Sequence, residues 1–225
     1  NELKKRYPGH NTLVGSIGLK LSNEYMDFYF LAKMHKMNTL AEKYLSAASY
    51  NVNFLELSKN YLISCPQNAV LFTYGDSDTY PLWYLQDKLG FRKDVTVVNL
   101  SLIALGKYIY YLNSIIPENN RLKLSLDIKE YMLDRNNVWY LNKENDTLDM
   151  AQYLKKFKSA HDTDKPVNIS NEISLESGTK KIVLSVNGRY LTKDLIFICD
   201  AICSNWNERP ICYALTQSFS GTLTR

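Results

Sequence analysis

The chain has 225 residues, 45% of them apolar and 22% charged, with a formal net charge of +4. That is the balance of an ordinary globular protein with enough chain to bury a core without staples, as one large domain or a domain with an appendage. It argues against a nucleic-acid partner, because Lys and Arg are thinly spread and the densest basic cluster is only Lys4-Lys5-Arg6.

Residues 1–21 read as a polar loop punctuated by Pro8, Gly9, Gly15 and Gly18. From Ser22 to about Met37, the residues Tyr25, Phe28, Tyr29, Ala32 and Met37 recur at helical spacing. Asn38 then stands where an N-cap belongs, ahead of a second helix carrying Leu40, Ala41, Tyr44, Leu45 and Ala48. The pair resembles a single tetratricopeptide-like hairpin, although Tyr29 stands where a small residue is expected and no second copy follows. A third helix is predicted from Val52 to Ser64, ended by Cys65-Pro66.

The pattern then changes. AVLFTY (69–74) is a short, wholly apolar run, as a buried strand would be. A helix is predicted over Pro81–Leu89 and closed by Gly90, followed by a second buried strand in DVTVVNL (94–100) and a helix from Ser101 to Ile116. Strand, helix, strand, helix with short links predicts parallel βαβ units. Val95–Ile116 is the nearest approach to a membrane span, but Asn99, Ser101, Lys107 and Asn113 interrupt it. Beyond Pro117, NVWYL reads as a strand, LDMAQYLKKF as a short helix and Asp162–Ser177 as a polar loop. KKIVLSVN is strand-like, Leu191–Cys203 helical with Thr192 or a neighbour as its cap, and PICYAL a last strand. The expected fold class is α/β: a parallel, Rossmann-like layered sheet with helices on its faces, preceded by a short N-terminal helical segment. The expected domains are a helical lead-in over 1–50 and an α/β domain over 51–225 that continues past Arg225.

Ligands of open parallel sheets sit beyond the carboxyl ends of the strands, where Gly75-Asp76-Ser77-Asp78 lies. Two readings stay open. In the structural one, Asp76 is a turn residue and Asp78, with Thr79, caps the next helix. In the functional one, Asp76 and Asp78 form an Asp-x-Asp pair whose hard oxygens suit Mg²⁺ or Mn²⁺ bridging a diphosphate. Asn99 and Ser101 occupy the equivalent place after the second strand and would share the same polar edge, as ligand residues or as an internal network. Trp83 and Tyr84 are expected in the core and Gln86 at the surface. Arg209, three residues after Trp206 in another dense stretch, is a candidate to pair with Asp76 or Asp78, or to bind an anionic group. Four cysteines (Cys65, Cys199, Cys203, Cys212) and three histidines show no metal-ligand spacing, and no nucleophile is flanked by an evident base. Seventeen tyrosines suit a surface that binds protein or carbohydrate.

At these blocks the chain resembles a bacterial membrane-protein family of otherwise unknown function, described as similar to protein O-mannosyltransferases. The first block matches at Gly75, Asp76, Asp78, Thr79, Pro81, Leu82, Trp83 and Tyr84. The second matches at Asp94, Val95, Val97, Val98, Asn99, Leu100, Ser101 and Leu102, the last at Trp206, Arg209, Pro210 and Ile211. Ser77 departs from the family's Asn, and Gly106-Lys107-Tyr108 from its Trp-Tyr pair. Family members join a multi-span glycosyltransferase-like region to a soluble extracytoplasmic part, and this chain is similar to the latter. The resemblance therefore implies a periplasmic or extracytoplasmic, non-catalytic domain with a protein or glycan partner, no cofactor and no membrane span of its own. The alternative is a metal-dependent sugar-nucleotide or phosphosugar enzyme using Asp76, Asp78 and Arg209.

Overall fold

A computed structural model of the chain describes residues 2–7, 9–13, 15–133, 138–160, 167–177, 180–185, 190–214 and 223–224. A short helix α1 (Glu2–Arg6) and the two-residue strands β1 (Asn11–Thr12) and β2 (Gly15–Ser16) lead into helices α2 (Ile17–Met34), α3 (Asn38–Ala47) and α4 (Val52–Ser64). Strand β3 (Val70–Thr73), helix α5 (Asp76–Leu89) and strand β4 (Thr96–Asn99) follow. Then come α6 (Gly106–Tyr110), α7 (Ile128–Met132), β5 (Val138–Asp149), α8 (Met150–Ala160), β6 (Val167–Ser177), β7 (Lys180–Ser185) and β8 (Tyr190–Thr192). The chain closes with α9 (Lys193–Asn205), β9 (Ile211–Tyr213) and β10 (Leu223–Thr224). No described helix is long and apolar enough to cross a membrane.

The chain forms two compact units, residues 1–100 with 212–216 and residues 101–211 with 217–225. The first holds a three-stranded sheet in the order β4-β3-β9. β3 and β4 pair in parallel, Val70 opposite Thr96 and Thr73 opposite Asn99, as a strand–helix–strand unit requires. Every residue of both strands is buried, which is why they read as unbroken apolar runs. β9 joins on the other edge of β3, where the Ala214 N–H donates to the Phe72 carbonyl (2.9 Å) and Tyr213 stacks on Phe72. Helices α2 and α3, the expected lead-in, belong to this same unit. They pack on each other through the stacked rings of Phe28 and Tyr44.

Several boundaries differ from expectation. Helix α2 begins at Ile17, earlier than the apolar spacing suggests, because Ser16 caps it by accepting from the Leu19 N–H. Asn38 is not a cap: it is the first residue of α3, whose N-cap Met37 makes no side-chain hydrogen bond. At α4, Asn51 does cap, accepting from Phe54 N–H at 2.8 Å. α5 begins at Asp76 and not at Pro81, so Pro81 lies inside the helix. The expected helix from Ser101 to Ile116 is broken into a 3₁₀ turn (Leu100–Leu102), α6 and a π-turn (Tyr111–Ile115) in which the Ile116 N–H reaches back to the Tyr111 carbonyl.

The second unit contains a five-stranded sheet in the order β10-β7-β6-β5-β8. It is mixed: β5 and β6 are parallel, while β6–β7, β5–β8 and β7–β10 are antiparallel. β6 runs through most of the stretch read as a polar loop; its residues 162–166 lie outside the described residues. Overall polarity hides its period of two, in which Val167, Ile169, Ile173 and Leu175 share one parity and Ile173 is fully buried. Thr192 does stand at the N-cap of α9, but its side chain makes no cap hydrogen bond.

Candidate functional site

The turn after β3 is made by Gly75, at φ 78° and ψ 174°, a backbone conformation essentially closed to side-chain-bearing residues. It lets the chain leave the strand and enter α5 at once, which puts Asp76 and Asp78 in the helix's first turn. Acidic side chains are favoured there by the partial positive charge of the unsatisfied N–H groups. Neither aspartate is the N-cap; Gly75 is.

Around Gly75 the other polar groups are knitted together. Asn99 is fully buried at the end of β4 and its Oδ1 accepts the Gly75 N–H at 3.2 Å. The Thr79 hydroxyl donates to the Gly75 carbonyl (2.8 Å) and lies 2.7 Å from the Thr73 hydroxyl, which in turn reaches the Val98 carbonyl. Thr73 and Thr79 are both buried. The strand-end edge within this unit is thus an internal network that closes the β3–α5 turn and ties it to β4. Asp78 is half-buried and Asp76 is exposed.

Helix α2 supplies the facing residues. Asn23 donates to Ser77 (3.4 Å) and accepts from the Tyr50 hydroxyl (3.0 Å), and the Tyr80 hydroxyl donates to Asp27 at 3.0 Å. Burial pushes the Asp27 carboxyl above its ordinary range, opposed by the Tyr80 hydrogen bond and reinforced by the nearby charges of Asp76 and Glu24. Among the described residues, no group of three or more His, Cys, Asp or Glu side chains is placed to hold a metal ion.

Trp83 and Tyr84 lie on α5. Trp83 is buried, stacks on Phe30 at 4.7 Å and donates its indole N–H to the Val97 carbonyl. Tyr84 is half-buried and meets Tyr50 edge-on. Gln86 is buried, contrary to its expected surface position, because its amide satisfies the carbonyls of Arg92 (2.9 Å) and Val95 (2.7 Å). Asp76, Asp78, Thr79 and Asn99 therefore gather at one turn, whereas Ser101, Trp206 and Arg209 belong to the second unit.

In that unit Ser101 is exposed and Trp206 is half-buried at the end of α9. Arg209 is buried and donates to the carbonyls of Asn120 (3.2 Å) and Arg121 (3.4 Å); desolvation lowers its pKa. It is one of several side chains from α9 and the turn after it that hold the segment 120–131, the exposed Glu208–Lys123 pair among them. Asp200, completely buried, accepts from the backbone N–H groups of Ser125 (2.7 Å) and Leu126 (2.9 Å) and from the hydroxyls of Tyr131 (2.9 Å) and Ser204 (3.0 Å). The Asn205 amide brackets Lys123, accepting from its N–H and donating to its carbonyl, and the buried Lys193 ammonium donates to the Tyr131 carbonyl. No signal in the apolar spacing of α9 announces this polar edge.

A pocket of about 490 Å³ opens elsewhere on the first unit, lined by Leu57, Tyr61, Leu71 and Tyr213 together with two thiols, Cys65 and Cys212. None of the four cysteines is joined in a disulfide. That size falls in the ~300–1,000 Å³ span of small-molecule sites.

The model of the family called TMEM260-associated domain 2 matches residues 54–187, more than half of the chain, and the chain belongs to that family. The family is linked to TMEM260, a protein O-mannosyltransferase-like protein. No curated protein and no solved structure matches the chain.

Proposed function

We propose that the chain is a non-catalytic accessory domain that binds or positions protein or glycan partners beside a protein O-mannosyltransferase-like membrane protein, on the extracytoplasmic side. The observation that carries this reading is the use made of the polar edge after β3 and β4: the Thr73 and Thr79 hydroxyls and the Asn99 Oδ1 close the Gly75 turn. Membership of a TMEM260-associated family supports that choice of partner. Partner contact would then fall on exposed side chains such as Tyr74, Tyr110 and Tyr190, whose rings give contact area at low entropic cost.

The competing reading, a metal-dependent sugar-nucleotide enzyme, rests on Asp76, whose carboxylate is exposed beside the half-buried Asp78. Thermal melting with Mn²⁺ or Mg²⁺ and a panel of sugar nucleotides separates the two. A ligand at about 100 times its dissociation constant adds ~2.7 kcal/mol to the folded state. No shift is expected. A shift in the native chain that disappears in Asp76→Asn/Asp78→Asn would replace the accessory reading by the enzymatic one. Co-purification with the mannosyltransferase-like protein from detergent-solubilised membranes checks the association itself.

A further inference from the structure

Cys65 and Cys212 are far apart in sequence, yet their side chains meet at one pocket. Each stands on a fixed backbone. Cys65 ends α4, and its carbonyl, with those of Leu62 and Pro66, is held by the Arg92 guanidinium at 3.1, 2.7 and 3.1 Å. Arg92 is itself clamped by both oxygens of Asp94, each at 2.8 Å. Cys212 sits in the middle of β9, which the sheet holds against β3. The two thiols are near enough to shift each other's ionisation, and the Cys65 S–H donates to the Tyr61 carbonyl at 3.3 Å.

The pair is asymmetric. Cys65 is buried and Cys212 half-buried. By turning its single S–H away from the Tyr61 carbonyl, Cys65 can donate to a Cys212 thiolate, which pulls Cys212 down to about 7 against the opposing effect of burial. The same bond, with burial, pushes Cys65 up. Cys199 and Cys203, in the other unit, are both pushed up by desolvation and have no such donor. The more exposed sulfur is the one favoured as thiolate, with a second thiol behind it, which is the arrangement thiol–disulfide exchange needs.

We propose that Cys65 and Cys212 form a redox-active dithiol that reacts, through this pocket, with low-molecular-weight disulfides and closes to an intramolecular disulfide. Cys212, as the thiolate, attacks one sulfur of a disulfide RSSR. A Cys212–SR bond forms, the S–S bond breaks and RS⁻ leaves. Cys65 gives its proton to that thiolate and attacks the Cys212 sulfur, expelling the second RS⁻. Two protein thiols are oxidised by two electrons, and one RSSR is reduced to two thiols. The closed bond would staple β9, the last strand of the first sheet, to the end of α4. A reduced thiol such as glutathione would reverse it by the same steps.

The test uses the full native chain in glutathione buffers of stepped reduced-to-oxidised ratio, quenched with acid, alkylated, digested and read by mass spectrometry. The expected product is a Cys65–Cys212 linked peptide that returns to the dithiol as the ratio rises, with Cys199 and Cys203 alkylated throughout. Cys65→Ser should accumulate glutathione on Cys212, and Cys212→Ser should leave Cys65 unreacted. In the reduced native chain at pH 7, Cys212 should alkylate ~4-fold faster than an unperturbed thiol. Its thiolate fraction is ~16-fold larger and its intrinsic nucleophilicity ~4-fold smaller, given a thiol of pKa ~8.5 as reference and a Brønsted slope of ~0.4. Because those two measurements need no variant, they stand even where a serine substitution unfolds the chain. The proposal is overturned if no ratio links Cys65 to Cys212 in the native chain, if linkage appears at Cys199 or Cys203 instead, or if Cys212 alkylates no faster than Cys203.

Discussion

Replacing Asp200 by Asn tests whether the second unit is held by the buried carboxylate on α9. Its Oδ1 serves the Ser125 N–H and the Ser204 hydroxyl, and its Oδ2 the Leu126 N–H and the Tyr131 hydroxyl. Asn keeps the shape but turns one oxygen into a donor. Whichever way the amide faces, one of the two backbone N–H groups meets an NH₂ and loses its acceptor. The hydroxyl on that side can rotate to accept, but a backbone N–H cannot. Stranding one buried donor costs ~1–3 kcal/mol, and the surviving bonds fall from charge-assisted to neutral, about half their strength. A loss of ~3 kcal/mol follows, worth ~6–12 °C in Tm for a chain of this length. Circular-dichroism melts give the total, and amide hydrogen exchange at Ser125 and Leu126 should lose protection before the rest of the unit. Ser204→Ala removes one peripheral donor and leaves the carboxylate with three partners, so it should cost no more than ~1 kcal/mol. Asp200→Asn melting within ~2 °C of the native chain, with Ser125 and Leu126 still protected, would refute the reasoning.

Gly75→Ala and Gly90→Ala both place a Cβ in open space, with nothing within 4 Å, so any cost is backbone strain alone. Gly90 (φ 70°, ψ 15°) is left-handed and should cost ~1 kcal/mol, whereas Gly75 lies in the glycine-only region and should cost more, ~2–3 kcal/mol; paired chemical-denaturation curves rank them. Gly106→Ala differs in kind, because its Cβ would sit 2.6 Å from the Tyr131 carbonyl and 2.9 Å from Met132 Cα. The α6–α7 contact must open, and Gly106→Ala should unfold at lower denaturant than Gly90→Ala. Arg92 holds the Asp94 carboxyl down at about 2, from an ordinary 3.8. A depressed carboxylate stabilises the fold fully above its unfolded value and loses that contribution as pH falls through the folded one. Asp94→Asn should therefore lower stability near neutrality and flatten its decline between about pH 4 and 2, as read by denaturation at stepped pH.

What was legible in the sequence is what local pattern controls. β3 and β4 are buried on both faces, so each is an unbroken apolar run, and the short link through α5 makes their parallel pairing readable. α4 carries its own cap in Asn51 and its own stop in Pro66. The same logic misplaced the start of α5, since Pro81 is favoured in a first turn and the eye begins the helix there. Asp76 and Asp78 are themselves first-turn signals, and Gly75 ahead of them is the residue that makes so early a start possible. β6 shows the opposite fault: its alternation was present, but polar residues at every other position lowered its mean hydropathy to that of a loop.

The rest depends on contacts between residues distant in sequence, which no local pattern reports. Gln86 looks like a surface residue until the carbonyls of Arg92 and Val95 turn back beneath it. Asp200 looks like one more acid in an apolar helix until the segment 120–131 brings two backbone N–H groups to it. Cys65 and Cys212 look like two unrelated buried thiols, because nothing before folding says that β9 enters the sheet beside β3. The candidate site divides along the same line. The Gly75 turn is built mostly from neighbours in sequence and is legible there, and its Thr79 and Asn99 hydrogen bonds hold the fold together. The dithiol pocket, built from the end of α4 and the middle of β9, joins a buried and a half-buried sulfur. That pocket is a product of long-range assembly, since its two thiols come from positions 65 and 212 of the sequence.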